Sequence, residues 1–253
     1  YSFDDDNGAN PRGRLTIGPG GHLYGTTSYG GNYEGDNFQA GTVYRFEPDS
    51  NTLTTLAVFN GSNGRRPTSN LVFDETGNIY GTTSEGGNSS NRGTIFRIDG
   101  ETFTLTRLIS FNGTNGESPY DGLVVDADGN LFGTTYKGGA NGDGIVFRLE
   151  VGTNVLTTLF TFDSSSGVYP SGLIADAVGN LYGTTEWHGD YGYGNIFRLS
   201  DTGFVVDSEM SGDFNGDAAV DAADYVLWRK GASIAQPDYA VEHLPSNPWI
   251  HQP

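Results

Sequence analysis

Residues 213–224 read Asp-Phe-Asn-Gly-Asp-Ala-Ala-Val-Asp-Ala-Ala-Asp. Side-chain oxygens fall at positions 1, 3, 5, 9 and 12 of this stretch, from Asp213, Asn215, Asp217, Asp221 and Asp224. Position 7 is Ala219, whose backbone carbonyl completes the set. A hard cation takes six or more oxygens from a loop short enough to converge on it, so the spacing predicts a Ca2+ site. Val220 at position 8 is an apolar anchor, and Tyr225 to Lys230 predict a short helix closed by Gly231. Five donors at these offsets beside a helix are hard to obtain from a merely acidic linker.

Catalytic groups are harder to find. Glu186, Trp187 and His188 are adjacent and have no counterpart elsewhere in the chain, as is also true of Glu34, Asp36, Arg65, Arg66, Glu85 and Lys137. A lone loop histidine is more often plain surface than a base. No Gly-x-Ser-x-Gly elbow, phosphate loop or paired zinc histidines occur. Aromatic rings at Tyr136, Trp187, His188 and Tyr191 fall in glycine-rich loops and offer a glycan-binding rim, with coverage of sheet ends as the plainer alternative. Asn60, Asn88 and Asn112 head Asn-x-Ser/Thr sequons, but asparagine followed by glycine is also ordinary turn chemistry.

These residues hang on a sentence written four times. His22-Leu-Tyr-Gly-Thr-Thr returns at Asn78, Asn130 and Asn180, its glycines 56, 52 and 50 residues apart. Each copy is followed by a Val/Ile-aromatic-Arg phrase, carrying Arg45, Arg97, Arg148 and Arg198. Then comes a threonine-rich run, Leu53–Phe59, Leu105–Phe111 and Leu156–Phe162, degenerate near 204–206. Each unit opens on a short run such as Leu71-Val-Phe-Asp, the first on Leu15. Four short β-branched and aromatic runs per unit, punctuated by turns, predict an all-β chain: a propeller-like array of four four-stranded blades. Recurring features, the arginines of all four units and Asp74, Asp126 and Asp176 of the last three, are better read as packing and turn caps than as chemistry. The expected division is a repeat domain over 13–210 and a calcium loop, helix and arm over 211–253.

Composition narrows the partners. The 253 residues carry 31 acidic against 13 basic side chains, a net charge of −18, which disfavours nucleic acid and anionic membrane surfaces. No cysteine is present, which removes disulfides and thiolate sites. No apolar run approaches the length of a membrane helix. The start at Tyr1, without a methionine, leaves a fragment or a chain whose leader was removed, and a processed, exported product is the favoured expectation.

The string Gly122 to Thr135, with the Gly-Gly and Val-Phe-Arg-Leu that follow, resembles the GloVer tandem repeat of bacterial surface proteins with a choice of C-terminal anchors. It is similar, more loosely, to NHL-type propeller blades. Residues 213–230 resemble one half of a type I dockerin, although Ala218 stands where glycine is expected and no second calcium loop follows. The resemblance implies an exported or cell-surface array without defined activity. The resulting expectation is a non-enzymatic, structural or adhesive extracellular subunit that associates with itself or with other surface proteins. The competing one is a carbohydrate-binding or carbohydrate-active propeller.

Overall fold

The computed structural model describes residues 1–31, 40–189 and 191–206, and these form four antiparallel sheets. Sheet 1 comprises β1 (Ala9–Pro11) and β2 (Thr16–Ile17), both paired to β3 (Leu23–Tyr29), then β4 (Thr42–Glu47) and β5 (Thr52–Val58). Sheet 2 repeats the plan with β6 (Arg65–Pro67) and β7 (Val72–Phe73) on β8 (Ile79–Glu85), then β9 (Thr94–Ile98) and β10 (Leu105–Ser110). Sheet 3 holds β11 (Val124–Val125), β12 (Leu131–Thr135), β13 (Ile145–Glu150) and β14 (Val155–Thr161). Sheet 4 holds β15 (Val168–Ala175), β16 (Leu181–Trp187) and β17 (Ile196–Leu199). All-β, propeller-like architecture is therefore what the repeats produce. The expected calcium loop and helix lie outside the described residues.

Local chemistry explains the repeated words. The glycine of Gly-Thr-Thr makes room for a ring on the neighbouring strand: a Cβ on Gly133 would sit 2.6 Å from Phe147 Cζ, and one on Gly81 equally close to Phe96 Cζ. The second threonine ties the strands, with Thr27 Oγ1 2.8 Å from Thr42 Oγ1 and Thr83 Oγ1 2.7 Å from Thr94 Oγ1, all buried. The aspartates close the hairpins. Asp74 Oδ1 accepts from the Thr76 and Asn78 amides, and its Oδ2 from the Asn78 carboxamide and the Tyr80 hydroxyl. Asp126 and Asp176 accept from Asn130 and Asn180 in the same way. The sequon residues are turn formers too: Asn60 Oδ1 accepts from the Ser62 hydroxyl and Asn63 amide, and Asn112 Oδ1 from Thr114 and Asn115.

Successive sheets share one interface. The face of sheet 1 bearing Tyr24, Thr26 and Val43 packs on sheet 2, with Tyr24 edge-on to Phe73 at 4.9 Å and Thr26 Oγ1 bonded to Ser69 O. The phenylalanine ending each threonine-rich run crosses to the next sheet: Phe59 to Phe96, Phe111 to Phe147, Phe162 to Phe197. A proline of the next sheet lies over a glycine of the last, so that a Cβ on Gly41, Gly93 or Gly144 would meet Pro67, Pro119 or Pro170 within 2.7 Å. Beside it, the amides of Arg66, Ser118 and Tyr169 donate to the carbonyls of Ala40, Arg92 and Asp143 in the preceding sheet.

The two ends depart from this pattern. On sheet 1, Phe3 packs on Tyr44 at 5.1 Å, the place that Phe59 has on sheet 2. Leu15 and Ile17 stay 54% and 66% exposed, whereas Leu71, the counterpart of Leu15 in sheet 2, is buried. Among the described residues sheet 4 has three strands. Residues 204–206 are not a strand; they return to sheet 3, where Val205 donates to Asp126 Oδ2 and accepts from the Ala127 amide. Size explains the detour. Ala175 stands where sheet 2 has Phe73, and the Phe204 ring takes the room over Phe132, at 5.0 Å.

Candidate functional site

The glycine-rich loops gather at one edge of the sheets, where each junction between sheets presents its own side chains. The residue that donates its amide across the junction lies in the left-handed region: Arg66 at φ 55°, Ser118 at 54° and Tyr169 at 59°. For bulky residues this backbone is strained, and the inter-sheet hydrogen bond helps hold it.

At the junction of sheets 1 and 2, Arg66 pairs with Glu85 (2.5 Å), touches the Tyr29 hydroxyl and lies 4.9 Å above the Tyr29 ring. Arg65 adds a 3.4 Å contact to the same carboxylate. Between sheets 2 and 3, Arg92 pairs with Glu117. The first is a triad on one carboxylate and the second a pair, and in both every charge already has a partner.

The junction of sheets 3 and 4 is aromatic instead. Tyr169 stacks on Tyr136 with centroids 4.5 Å apart and planes inclined by 12°, and Tyr120 meets Tyr136 edge-on at 5.4 Å. Lys137 Nζ lies 6.0 Å from both stacked rings. The Tyr136 hydroxyl donates to Glu186 Oε2 at 2.7 Å, and this bond to a carboxylate pushes the phenol up to about 12. Next to the stack opens a cleft of about 450 Å³, lined by Asp143, Ser164, Val168, Tyr169, Trp187 and His188, with Gly192 at its edge. Its volume suits a small ligand, and its wall alternates rings with hydrogen-bonding groups.

The predicted rim is thus only partly one surface. Trp187 and His188 line the cleft, Tyr136 sits behind it under Tyr169, and Tyr191 is 88% exposed outside the lining. Glu186 turns to Tyr136 rather than to His188, and no hydrogen bond or ion pair engages the His188 side chain among the described residues. Tyr169 was missed in the sequence. Its signal is positional: it stands two residues after the Gly167 that matches Gly64 and Gly116, in the slot of Arg66 and Ser118. Glu34 and Asp36 lie outside the described residues, and so do Asp213, Asn215, Asp217, Ala219, Asp221 and Asp224. Among the described residues no cluster of three or more histidines and carboxylates could hold a metal, and no helix is long and apolar enough to cross a membrane.

Residues 1–124 and 33–226 match the Gloeobacter/Verrucomicrobia repeat. The chain belongs to that repeat family. Solved structures similar to this repeat protein are propeller-like. One is the extracellular domain of a hybrid two-component system from B. thetaiotaomicron, 14% identical over 78% of this chain and 23% of that one, with a TM-score of 0.52. Another is a luciferin-regenerating enzyme, 15% identical over 77% of this chain and 62% of that one, with a TM-score of 0.50. At such identities the likeness carries the fold alone, and the repeat protein spans less than two thirds of the length of either. A comparison with curated proteins finds no match.

Proposed function

We propose that the chain is a non-enzymatic structural or adhesive module of an exported surface protein, and that it associates with copies of itself. The observation that supports this reading is the state of its ends. One interface is used three times inside the molecule, yet Leu15 and Ile17 at one end and Ile174 and Ile196 at the other remain 54–82% exposed. Apolar sheet faces left open in this way are templates for association. In this reading Asp213, Asn215, Asp217, Asp221 and Asp224, with the Ala219 carbonyl, hold Ca2+ and brace the C-terminal residues. Light scattering on the full chain, with Ca2+ and after chelation, is the test. Assemblies much heavier than 27.0 kDa that shrink on chelation are expected; a monomer under both conditions overturns the reading.

A second reading, glycan binding, is favoured by the cleft at the junction of sheets 3 and 4. Sugar faces stack on exposed rings, and Trp187 is half exposed beside Tyr169, Asp143 and Ser164. Specific signals on a glycan array that vanish in Trp187→Ala, but persist in Tyr1→Ala, would establish it.

A further inference from the structure

We infer that the two end faces are the two halves of the interface that joins the sheets, so that sheet 1 of a second copy docks on sheet 4 of the first. This deepens the self-association reading above and rests on it. Four positions show the match, each compared with its counterpart inside the molecule.

The first is the donor face. Val43, Ile95 and Val146 are fully buried under the following sheet, while Ile196, their counterpart in sheet 4, is 82% exposed. Thr26 and Thr82 are buried and bond across to the next sheet at Ser69 O and Pro119 O. Thr184, in the same place on sheet 4, is exposed and turns back to Ser171 O in its own sheet.

The second is the acceptor face. Leu71, Leu123 and Leu173 are at most 9% exposed against the preceding sheet, and Leu15 at 54% is the one left uncovered. The third is the clasp. Pro67, Pro119 and Pro170 are buried over Gly41, Gly93 and Gly144, whereas Pro11 is exposed and Gly194 has no proline above it. Asn10, at φ 55°, already holds the left-handed conformation from which Arg66, Ser118 and Tyr169 donate across their junctions.

The fourth is the strand edge. β5, β10 and β14 flank β4, β9 and β13, but β17 has no further strand beside it among the described residues. Phe3 stands where Phe59 stands for the next sheet, which places Tyr1 and Ser2 in the positions of Ala57 and Val58 at the end of β5. Ala57 pairs with Val43 and Val58 with Thr42. A second copy seated by the internal rule therefore lays Tyr1 and Ser2 along Ile196 and Asn195, on the free edge of β17. The contact joins unlike faces, so it is heterologous and leaves each dimer with one free face of each kind. The net charge of −18 opposes it, and association strengthens with salt.

The experiment uses full-length Leu15→Glu and Ile196→Glu, each with a charge on one face only. Both positions are solvent-exposed in the single chain, so at protein concentrations too low for association both variants are expected to melt at the wild-type temperature. By sedimentation velocity, wild type forms species larger than dimers, and each variant alone associates at least about tenfold more weakly. An equimolar mixture forms 1:1 dimers and stops there, because each variant contributes its intact face. Wild-type assemblies that persist in both variants overturn the inference while leaving self-association standing; a monomeric wild type overturns both. If Ile196→Glu melts low without changing mass, a segment of the same chain covers that face and the inference fails. The chain lacks cysteine, so Tyr1→Cys/Ile196→Cys supplies a second measurement. Oxidised ladders of covalent multimers are expected, and an oxidised monomer refutes the pairing.

Discussion

Ile95 and Ile196 are the same letter of the same repeated phrase, one fully buried in the second sheet and the other 82% exposed in the fourth. The strands around them are built alike: Thr82 pairs with Ile95 as Thr184 pairs with Ile196. What differs, among the described residues, is what comes next: β9 is flanked by β10 and covered by a following sheet, whereas β17 has neither. In this molecule the buried or exposed fate of a residue is decided by its neighbour sheet, not by its own strand, as expected of a repeat architecture in which each unit completes the one before.

Pairs of matched substitutions turn this comparison into measurements. The largest contrast is expected between Phe59 and Phe3, which play the same part on sheets 2 and 1. Phe59 is fully buried, and Phe59→Ala costs about 3–5 kcal/mol in chemical denaturation. Phe3 is half-buried at an open end, edge-on to Tyr44 and Tyr1, and Phe3→Ala costs about 1–2 kcal/mol. Equal losses would mean that sheet 1 is as enclosed as the interior. Next come the isoleucines themselves. Ile95→Ala loses about 2–5 kcal/mol, and Ile196→Ala stays within about 0.5 kcal/mol at protein concentrations too low for association.

The smallest expected effect concerns acid. The Ser165 hydroxyl and the Ser166 amide hold the Asp163 carboxyl down to about 2, and the Asn180 carboxamide and amide do the same for Asp176. Both values lie below the roughly 3.9 of an unfolded aspartate, so the folded chain binds these protons less readily than the unfolded one. Their contribution is complete above about pH 4 and fades as the pH falls toward about 2. Both groups are open to solvent, so the decline is shallow. Thermal melts of wild type and a Asp163→Asn/Asp176→Asn double variant should converge across that window, and parallel curves would remove the two turns from the acid response.

Much of this architecture could be read from residue order because its grammar is local. Gly-Thr-Thr strands recur almost letter for letter, each an apolar residue and a ring before Gly-Thr-Thr, and run on into glycine turns, so β3, β8, β12 and β16 announce themselves. The half-strands β1 and β6 do not. Each carries a proline and a residue of positive φ, the vocabulary of loops, and their pairing becomes visible only when the next strand lies beside them. The path of residues 204–206 is a tertiary matter, set by the small side chain at Ala175. Trp187 and His188 were recognisable as breaks in the repeat. Tyr169 was not, because its partner Tyr136 is 33 residues earlier and only the junction of two sheets brings the rings together.

The left-handed slot at each junction has a consequence for how such a chain can diversify. Its main chain is anchored by the amide hydrogen bond to the sheet before, and the two large occupants direct their side chains toward the loop edge: Arg66 onto Tyr29 and Glu85, Tyr169 onto Tyr136. Frame and content are thereby uncoupled. A mutation in the slot changes what the edge displays, cation, hydroxyl or ring, while leaving the scaffold's hydrogen bonding untouched. Serial duplication of the unit then multiplies independent display positions at fixed intervals, and selection can compose a surface one letter at a time.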